Sequence, residues 1–394
     1  MASNIVQGFK ASALAAGIKK DGGLDMALIV SEKGAAAAGV FTTNRVKAAP
    51  VILSQENIRK GRVRAIIANS GNANACTGRL GLDNALREAE LVAKELGINP
   101  DEVLVASTGV IGRPLPMERI ERFIPDLAKR LVPEGLPDVA EAIMTTDSFS
   151  KISRFEGEAG GKPYQILGIA KGAGMIMPNM ATMLCFVLSD IRIDPADLSK
   201  SVSSSVKTTF NRISVDGDTS TNDTVLVVAN GMAGNGELNS DDFERFQIGL
   251  THVMDTLATM IVRDGEGATK VVYVKIRGAA RHADAETAAR TIANSYLVKT
   301  AFYGQDPNWG RIMAALGRSN ISMQEEDVHI WVDEIQIVQG GLAIGADVEK
   351  QASKRMAQKE FSVTIDLRQG KHEVQVVTCD LTPEYIAINS DYRT

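Results

Sequence analysis

The sequence contains little of what metal, redox and disulfide chemistry require. It has only three cysteines, an odd number, which lie far apart and form no C-x-x-C pair. Its four histidines are scattered and form no H-x-x-x-H or H-E-x-x-H pair. A disulfide framework, a thiolate zinc site and a zinc hydrolase site are therefore not supported. We expect reduced thiols, no metal and no cofactor.

The motifs of several common enzyme classes are also missing. There is no G-x-S-x-G elbow, no G-x-G-x-x-G after a strand and no G-x-x-x-x-G-K-[ST] phosphate loop. The run Asp216-Gly217-Asp218 lacks the spacing and closing glutamate of a calcium loop. Aromatic residues make up 5% of the chain and the net charge is -5, which disfavours nucleic acid and anionic membrane surfaces as partners.

Long hydrophobic runs are absent as well. No window reaches the ~18 apolar residues of a membrane span. The first residues lack the cationic start and apolar core of a signal peptide. These features favour a soluble, cytoplasmic protein, and a chain of 394 residues predicts two or more domains.

The most informative segment covers residues 171–189. It combines a glycine-rich start at 171–174, a turn at Pro178, and Thr182 directly before the apolar run 183–188. A short apolar run between turn signals predicts a buried strand. Thr182 would then stand at the start of that strand, although threonine is common at strand starts for structural reasons alone.

A threonine in this position is suited to self-cleavage. Its hydroxyl can attack the carbonyl of Ala181 and convert the peptide bond into an ester. Hydrolysis then leaves Thr182 as a new N-terminus, with an α-amine beside its hydroxyl. Because an α-amine titrates near ~8, part of it is unprotonated near neutral pH and can act as the base for a threonine nucleophile.

Other polar residues in loops have ordinary structural explanations. The segment 107–109, Ser-Thr-Gly, follows an apolar strand and on its residues alone is a strand-to-turn corner. Lys171 stands beside glycines, as a solvated loop charge does. Glu266 follows Gly265, which can end a helix, and is typical of a surface acid.

A family resemblance changes these interpretations. Residues 171–184 closely resemble the self-cleaving ornithine acetyltransferases, also called bifunctional glutamate N-acetyltransferases of arginine biosynthesis. Similar blocks occur from Ile66 to the C-terminus, so the resemblance covers essentially the whole chain. The block 106–112 is similar to the oxyanion-hole motif of that family.

The resemblance implies a role for each of these residues. Thr182 is the nucleophile, the cleavage point lies between Ala181 and Thr182, and Thr108 and Gly109 form the oxyanion hole. The substrate-binding residues that it implies are Thr145, Lys171, Thr182, Glu266, Asn389 and Thr394. The contact at 145 remains open between Thr145 and Thr146, and Arg393 departs from the small polar residue expected there.

The fold class expected is α/β. The pattern suggests layers of helix, sheet, sheet and helix, and the resemblance implies an α-β-β-α sandwich with a smaller C-terminal α+β domain. The domains expected are 1–275 and 276–394, with the chain's tail closing the site. Strands are predicted at 183–188 and 224–228.

Further elements are predicted along the chain. Residues 26–30 and 39–43 are expected to be two strands around a turn. A helix is predicted at about 83–96, and 133–137 is expected to be a linker. After about residue 270 the pattern predicts short strands with fewer long helices, and apolar residues at 385, 386 and 388 predict a docked tail.

The resemblance implies transfer of the acetyl group of N2-acetyl-L-ornithine to L-glutamate through an ester on Thr182. It also implies an assembly of two α and two β fragments. Two alternatives stay open: an N-terminal-threonine amidase or aminopeptidase that uses water as acceptor, and an uncleaved amino-acid-binding protein. The sequence also leaves open whether acetyl-CoA serves as a second donor.

Overall fold

The structure is a computed structural model that describes residues 4–177 and 183–391. Its strands are β1 (Phe9–Leu14), β2 (Met26–Phe41), β3 (Val63–Asn69), β4 (Val103–Ser107), β5 (Lys151–Ala159), β6 (Lys162–Lys171), β7 (Leu184–Ser189), β8 (Ile213–Ser214), β9 (Thr224–Ala229), β10 (Val271–Ala279), β11 (His329–Val332), β12 (Ile335–Gln339), β13 (Leu342–Ala343), β14 (Glu360–Asp366) and β15 (His372–Cys379). Its α-helices are α1 (Ala49–Arg59), α2 (Gly78–Leu96), α3 (Met117–Lys129), α4 (Leu136–Ala142), α5 (Pro195–Thr208), α6 (Ser240–Arg263), α7 (His282–Ala293), α8 (Tyr296–Tyr303), α9 (Trp309–Gly317), α10 (Ala346–Met356) and α11 (Pro383–Asp391).

The fold is mixed α/β with two sheets, and each sheet belongs to one of two compact units. The first unit contains residues up to 211 together with 218–261, and the second contains 212–217 and the chain from 262 onward. The predicted domain division after residue 275 stays a prediction.

The first unit contains a sheet with the order β4-β3-β2-β9-β7-β6-β5, and β1 pairs with β2. Strands β3 and β4 are parallel, as are β7 and β9. Strand β6 runs antiparallel to both β5 and β7. The strands predicted at 183–188 and 224–228 are confirmed as β7 and β9.

The two faces of this sheet have different packing partners. Ile66 and Leu104 share one apolar cluster with Phe186 and Leu226, so the β3–β4 part packs against the β7–β9 part. The opposite face of β3 and β4 packs on α2 and α3. Successive strand residues point to opposite faces, so near-continuous apolar strands are what burial on both faces requires.

Strand β2 differs from the prediction of two strands around a turn. It is continuous from Met26 to Phe41 because its first half pairs with β3 and its second half pairs with β9. The pairing register shifts between Val30 and Ala35, where extra residues bend the strand as a β-bulge does. The small residues that suggested a turn therefore lie within a bent strand.

Other expected elements also differ in extent. The helix predicted at 83–96 begins earlier, at Gly78. The expected linker at 133–137 runs into α4, whose Pro137 lies in the first turn, where a missing N–H costs no helical hydrogen bond. The hairpin of β5 and β6 was not predicted, and its turn is the pair Gly160-Gly161, both with positive φ.

The second unit contains a sheet with the order β13-β12-β11-β14-β10-β15-β8. Val272, Val274 and Ile276 of β10 lie in one apolar cluster with Ala289 and Ile292 of α7. The short strands predicted after about residue 270 are confirmed, and β11, β14 and β15 are examples. Helices α7, α8 and α10 were not predicted. Within the described ranges, no helix combines the length and apolar character needed to cross a membrane.

Glu88 is a buried carboxyl on α2. Its Oε2 atom has no hydrogen-bond partner among the described residues, and burial raises the pKa of Glu88 to about 8. The folded state therefore binds a proton that the unfolded chain, with a pKa near 4.5, releases as pH rises. Glu88 lowers stability progressively as pH rises between those two values.

We predict that Glu88→Gln removes this loss of stability because an amide stays neutral. The free energy of unfolding of the variant, relative to the unsubstituted protein, should rise by up to about 1.4 kcal/mol per pH unit between about pH 5 and pH 8. Urea unfolding at several pH values measures it. Glu90→Gln, on the exposed side of the same helix, is the control and should show no such trend. A difference that does not vary with pH would contradict the prediction.

Candidate active site

The polar residues at the ends of β3 and β4 form one network. These strands are parallel neighbours, so their carboxyl ends meet at the same edge of the sheet. Ser107 Oγ donates to Asn69 Oδ1 at 2.6 Å, and Asn69 Nδ2 donates to Asn72 O at 2.9 Å. Thr108 N donates to Asn69 O at 3.0 Å. Asn69 thus orients the loop that carries Thr108.

Gly109 can only be glycine. Its φ is +130°, and a Cβ atom would lie 2.4 Å from Gly71 C and 2.5 Å from Asn72 N. Both obstacles are backbone atoms that cannot move aside as a side chain can. The close approach of residue 109 to the loop after β3 therefore depends on the missing side chain.

Lys171, at the end of β6, joins this loop to Thr145. Its buried Nζ donates to Thr145 Oγ1 at 2.8 Å and to Thr108 Oγ1 at 3.3 Å. Since Thr108 Oγ1 accepts this hydrogen bond, its own proton points elsewhere, and it donates to no residue in the described part of the chain. The hydrogen bond from Lys171 thus orients the Thr108 hydroxyl, whose own proton is available to donate to a substrate.

The pairing of β6 with β7 shows that this cluster lies beside the start of β7. Lys171 pairs with Leu184, the first residue of β7. The predicted cleavage residues Ala181 and Thr182 lie just before that strand and outside the described residues. Lys171 and the start of β7 are nevertheless cross-strand neighbours, so the cluster lies at the end of the sheet where β7 begins.

Asp147 neutralises the positive charge of this cluster. It pairs with Lys151 at 2.7 Å, with both side chains fully buried, and accepts hydrogen bonds from Thr145 N at 3.0 Å and Gly172 N at 2.6 Å. Burial favours the neutral acid, but the ammonium groups of Lys171 and Lys151 outweigh it and lower the pKa of Asp147 to about 2. Asp147 therefore remains a carboxylate that orients the residues on both sides of Lys171.

The second unit brings together Glu266 and Asn389. Asn389 Nδ2, on α11, donates to Glu266 Oε2 at 2.7 Å and to Tyr385 O at 3.0 Å. Gly267 has φ +68°, and a Cβ there would lie 2.6 Å from Tyr385 N, so glycine allows this close contact. Thr394 lies outside the described residues.

The docking of α11 depends on polar contacts as well as on the apolar residues predicted. Ile386 is 68% exposed and does not anchor the tail, whereas Tyr385 and Ile388 are half-buried. Two hydrogen bonds add to this: Thr382 Oγ1 donates to Gly267 O at 2.7 Å, and Tyr385 Oη donates to Asp216 Oδ2 at 3.2 Å.

Sequence reasoning missed Asp147 and Asn69 as site-forming residues. Asp147 directly follows the two threonines considered for substrate contact, and Lys151 stands four residues later. That spacing was a usable signal of an ion pair, although burial of both groups was not visible in it. Asn69 ends an apolar strand, as Ser107 does, and parallel strands bring such residues together.

Chemically, the first-unit cluster offers the hydroxyl donor of Thr108 and the buried ammonium of Lys171, at the ends of β4 and β6. Such groups stabilise a developing negative charge on oxygen. No group of three or more metal-ligating side chains occurs among residues 4–177 and 183–391.

Comparison with known proteins agrees with this arrangement. The profile of the ArgJ family matches residues 10–394. The chain belongs to the ArgJ family.

The similarity extends over complete relatives. The chain is 52% identical over 391 residues to the arginine biosynthesis bifunctional protein ArgJ of Geobacter sulfurreducens, which covers 99% of this chain and 100% of the relative. It is 47% identical over 401 residues to the glutamate N-acetyltransferase of Methanocaldococcus jannaschii, covering 98% of this chain and 97% of the relative.

A solved structure is also similar. The crystal structure of the arginine biosynthesis bifunctional protein ArgJ of Bacillus halodurans is 39% identical, with a TM-score of 0.50. The match covers 52% of this chain and 97% of the solved chain. The solved chain is thus about half as long as the present one.

We predict that Asp147→Asn destabilises the protein strongly, because the buried Lys151 ammonium loses its carboxylate. Removing one member of a buried ion pair costs on the order of 3 kcal/mol or more. Urea unfolding measures the change. The control is Asp101→Asn, which breaks the exposed pair of Lys60 and Asp101 and should cost about 1 kcal/mol or less.

The pH dependence gives a second test of the same pair. The lowered pKa of Asp147 contributes stability above about pH 4, and this contribution is lost as pH falls towards 2. The difference in unfolding free energy between Asp147→Asn and the unsubstituted protein should therefore shrink in acid. Equal losses for the two asparagine variants at neutral pH would contradict the assigned role.

Proposed function

We propose that this protein is an acetyltransferase that moves the acetyl group of N2-acetyl-L-ornithine to L-glutamate in arginine biosynthesis. The observation that carries the proposal is the Thr108 hydroxyl, which accepts a hydrogen bond from Lys171 and keeps its own proton free to donate. It lies at the end of the sheet where β7 begins at Leu184, two residues after Thr182 in the sequence. Membership of the ArgJ family and a relative named glutamate N-acetyltransferase support the substrates.

Self-cleavage is the first part of the proposal. The Thr182 hydroxyl attacks the Ala181 carbonyl, the peptide nitrogen becomes the free α-amine of Thr182, and the acyl group moves to the hydroxyl oxygen as an ester. Water then hydrolyses the ester and releases the carboxyl end of Ala181. A solved relative of about half the present length is what such a division into 1–181 and 182–394 predicts.

Acetyl transfer then uses the same groups. The α-amine of Thr182 takes the hydroxyl proton as the hydroxyl oxygen attacks the acetyl carbonyl. The hydroxyl of Thr108 and the N–H of Gly109 donate to the oxyanion of the tetrahedral intermediate. The bond to nitrogen breaks, ornithine leaves with the proton, and the acetyl group remains on Thr182. The amine of glutamate attacks this ester and regenerates the hydroxyl.

Substrate recognition follows the charges of the two substrates. Lys171 supplies a positive charge for the α-carboxylate that ornithine and glutamate share, and Thr145, whose hydroxyl meets Lys171, is the better choice over Thr146. The carboxylate of Glu266 can pair with the ammonium of ornithine, and Asn389 Nδ2 donates a hydrogen bond to the Glu266 carboxylate. We assign Thr394 to closure of the site, as the resemblance implies.

Finer points of organisation belong to the same proposal. The packing of α2 and α3 on one face of β3–β4, and of β7–β9 on the other, supports an α-β-β-α sandwich. We propose domains at 1–275 and 276–394, a cytoplasmic location and an assembly of two α and two β fragments. Acetyl-CoA as a second donor is left to the assay below.

We predict that the purified protein consists of two fragments, one ending at Ala181 and one beginning with Thr182. Intact-mass analysis and a denaturing gel measure this. Thr182→Ala should remain a single chain without transferase activity. The control is Thr256→Ala, a half-buried threonine of α6 whose hydroxyl donates to His252 O of its own helix, and this variant should cleave and transfer acetyl normally.

The same preparation separates the alternative functions. An acetyltransferase releases ornithine from acetylornithine rapidly only when glutamate is present, and acetylglutamate appears in equal amount. An amidase releases ornithine and acetate equally fast without glutamate. An uncleaved binding protein gives one chain and no product, and that result would overturn the proposal. Replacing acetylornithine by acetyl-CoA tests the second donor.

We predict that Thr108→Val lowers kcat by about a hundredfold, because valine keeps the shape of threonine but lacks the donor to the oxyanion. The KM for acetylornithine should change little. Thr108→Ser, which keeps the hydroxyl, is the matched control and should retain most of the activity. An unchanged kcat in the valine variant would show that residues 107–109 have only the structural role of a strand-to-turn corner.

A further inference from the structure

The polar loop before β9 contains two adjacent buried residues that the mechanism above does not use. Asn222 and Asp223 are both at most 5% exposed. They directly precede Thr224, which pairs with Leu184, the first residue of β7. The loop therefore reaches the same strand end as Lys171, from the opposite side of β7.

Asn222 holds the two loops that form the oxyanion motif. Its Nδ2 donates to Ala73 O at 2.6 Å and to Ser107 O at 2.8 Å. Its Oδ1 accepts from Thr221 Oγ1 at 2.6 Å, which fixes the orientation of the amide. Ser107 directly precedes Thr108, so one amide group links the loop after β3 to the loop after β4.

Asp223 holds the residue that follows the proposed nucleophile. Its Oδ1 accepts from Met183 N at 2.9 Å. Its Oδ2 is buried and has no partner among the described residues. A buried carboxyl with one oxygen unsatisfied costs stability, and an apolar residue would avoid that cost.

We propose that Asn222 and Asp223 act together as positioning residues that set the nucleophile of this enzyme against its oxyanion hole. Asn222 fixes Ser107, one residue before Thr108, and Asp223 fixes Met183, one residue after Thr182. Because the two are sequence neighbours, one short segment holds both Ser107 and Met183. This inference rests on the proposed function, since it presupposes that Thr182 attacks and Thr108 stabilises.

The other ends of the same strands supply matched controls. Asp190 follows β7 and accepts from Gln165 N at 2.8 Å, as Asp223 accepts from Met183. Asn230 follows β9 and donates to Gln7 O at 2.9 Å. Both are buried and both bond to backbone, but they lie at the strand ends away from Thr108 and Lys171.

The experiment compares Asp223→Ala, Asp223→Asn and Asn222→Ala with Asp190→Ala and Asn230→Ala in the full-length protein. Three quantities are measured for each: the rate of self-cleavage by intact mass, kcat and KM for acetylornithine in the cleaved fraction, and Tm. We expect Asp223→Ala to slow cleavage and Asn222→Ala to lower kcat, each by about a hundredfold, as for a small misplacement of reacting groups. The KM should stay within about threefold.

Asp223→Asn should recover most of the lost rate, because its amide oxygen can still accept from Met183 N. The two control variants should lose Tm without a comparable loss of rate. If the control variants lose as much rate as Asp223→Ala and Asn222→Ala at equal Tm, the residues are merely structural and the proposal is wrong. It is also wrong if Asp223→Asn is as slow as Asp223→Ala.

Two further outcomes are distinguishable. Should Asp223→Ala fail to fold, Asp223→Asn and Asn222→Ala decide alone, and normal cleavage and kcat in Asn222→Ala overturn the proposal. Should the unsubstituted protein neither cleave nor transfer acetyl, the proposed function itself fails, and the positioning role fails with it.

Discussion

The interaction on which the candidate site depends is the compensation of buried positive charge by Asp147. Two lysines place ammonium groups in the interior near one carboxylate, and a buried ammonium without a counter-charge would lose its proton or open the structure. Asp147 prevents this and at the same time accepts the N–H groups of Thr145 and Gly172. Charge balance and the orientation of Lys171 therefore have the same origin.

A second constraint is the bent strand β2. It pairs with β3 along its first half and with β9 along its second half, so the strands that carry Thr108 and the strands that flank Thr182 belong to one hydrogen-bonded system. The loops of β4 and β9 can then meet at Ser107 and Asn222. A turn in place of the bend would have separated these parts.

The sequence predicted local features better than long-range ones. The apolar runs of β7 and β9 were recognisable because strands buried on both faces carry little else. The continuity of β2 was not, because small residues are typical of turns and of tightly packed strands alike. Lys171 and Glu266 were assigned by family resemblance, since lone loop charges carry no signal of burial. Asp147, Asn222 and Asp223 were missed because their roles arise from contacts with residues distant in the sequence.

The strand order of the first sheet has a consequence for any molecule cut before Thr182. In the order β2-β9-β7-β6, the inner two strands follow the cut and the outer two precede it. The two pieces are therefore joined by two ladders of backbone hydrogen bonds, one between β2 and β9 and one between β7 and β6. Separating the pieces would leave four strand edges without hydrogen-bond partners, and such edges pair readily with other chains. The two products of cleavage are thus held together by the sheet itself, without any covalent link.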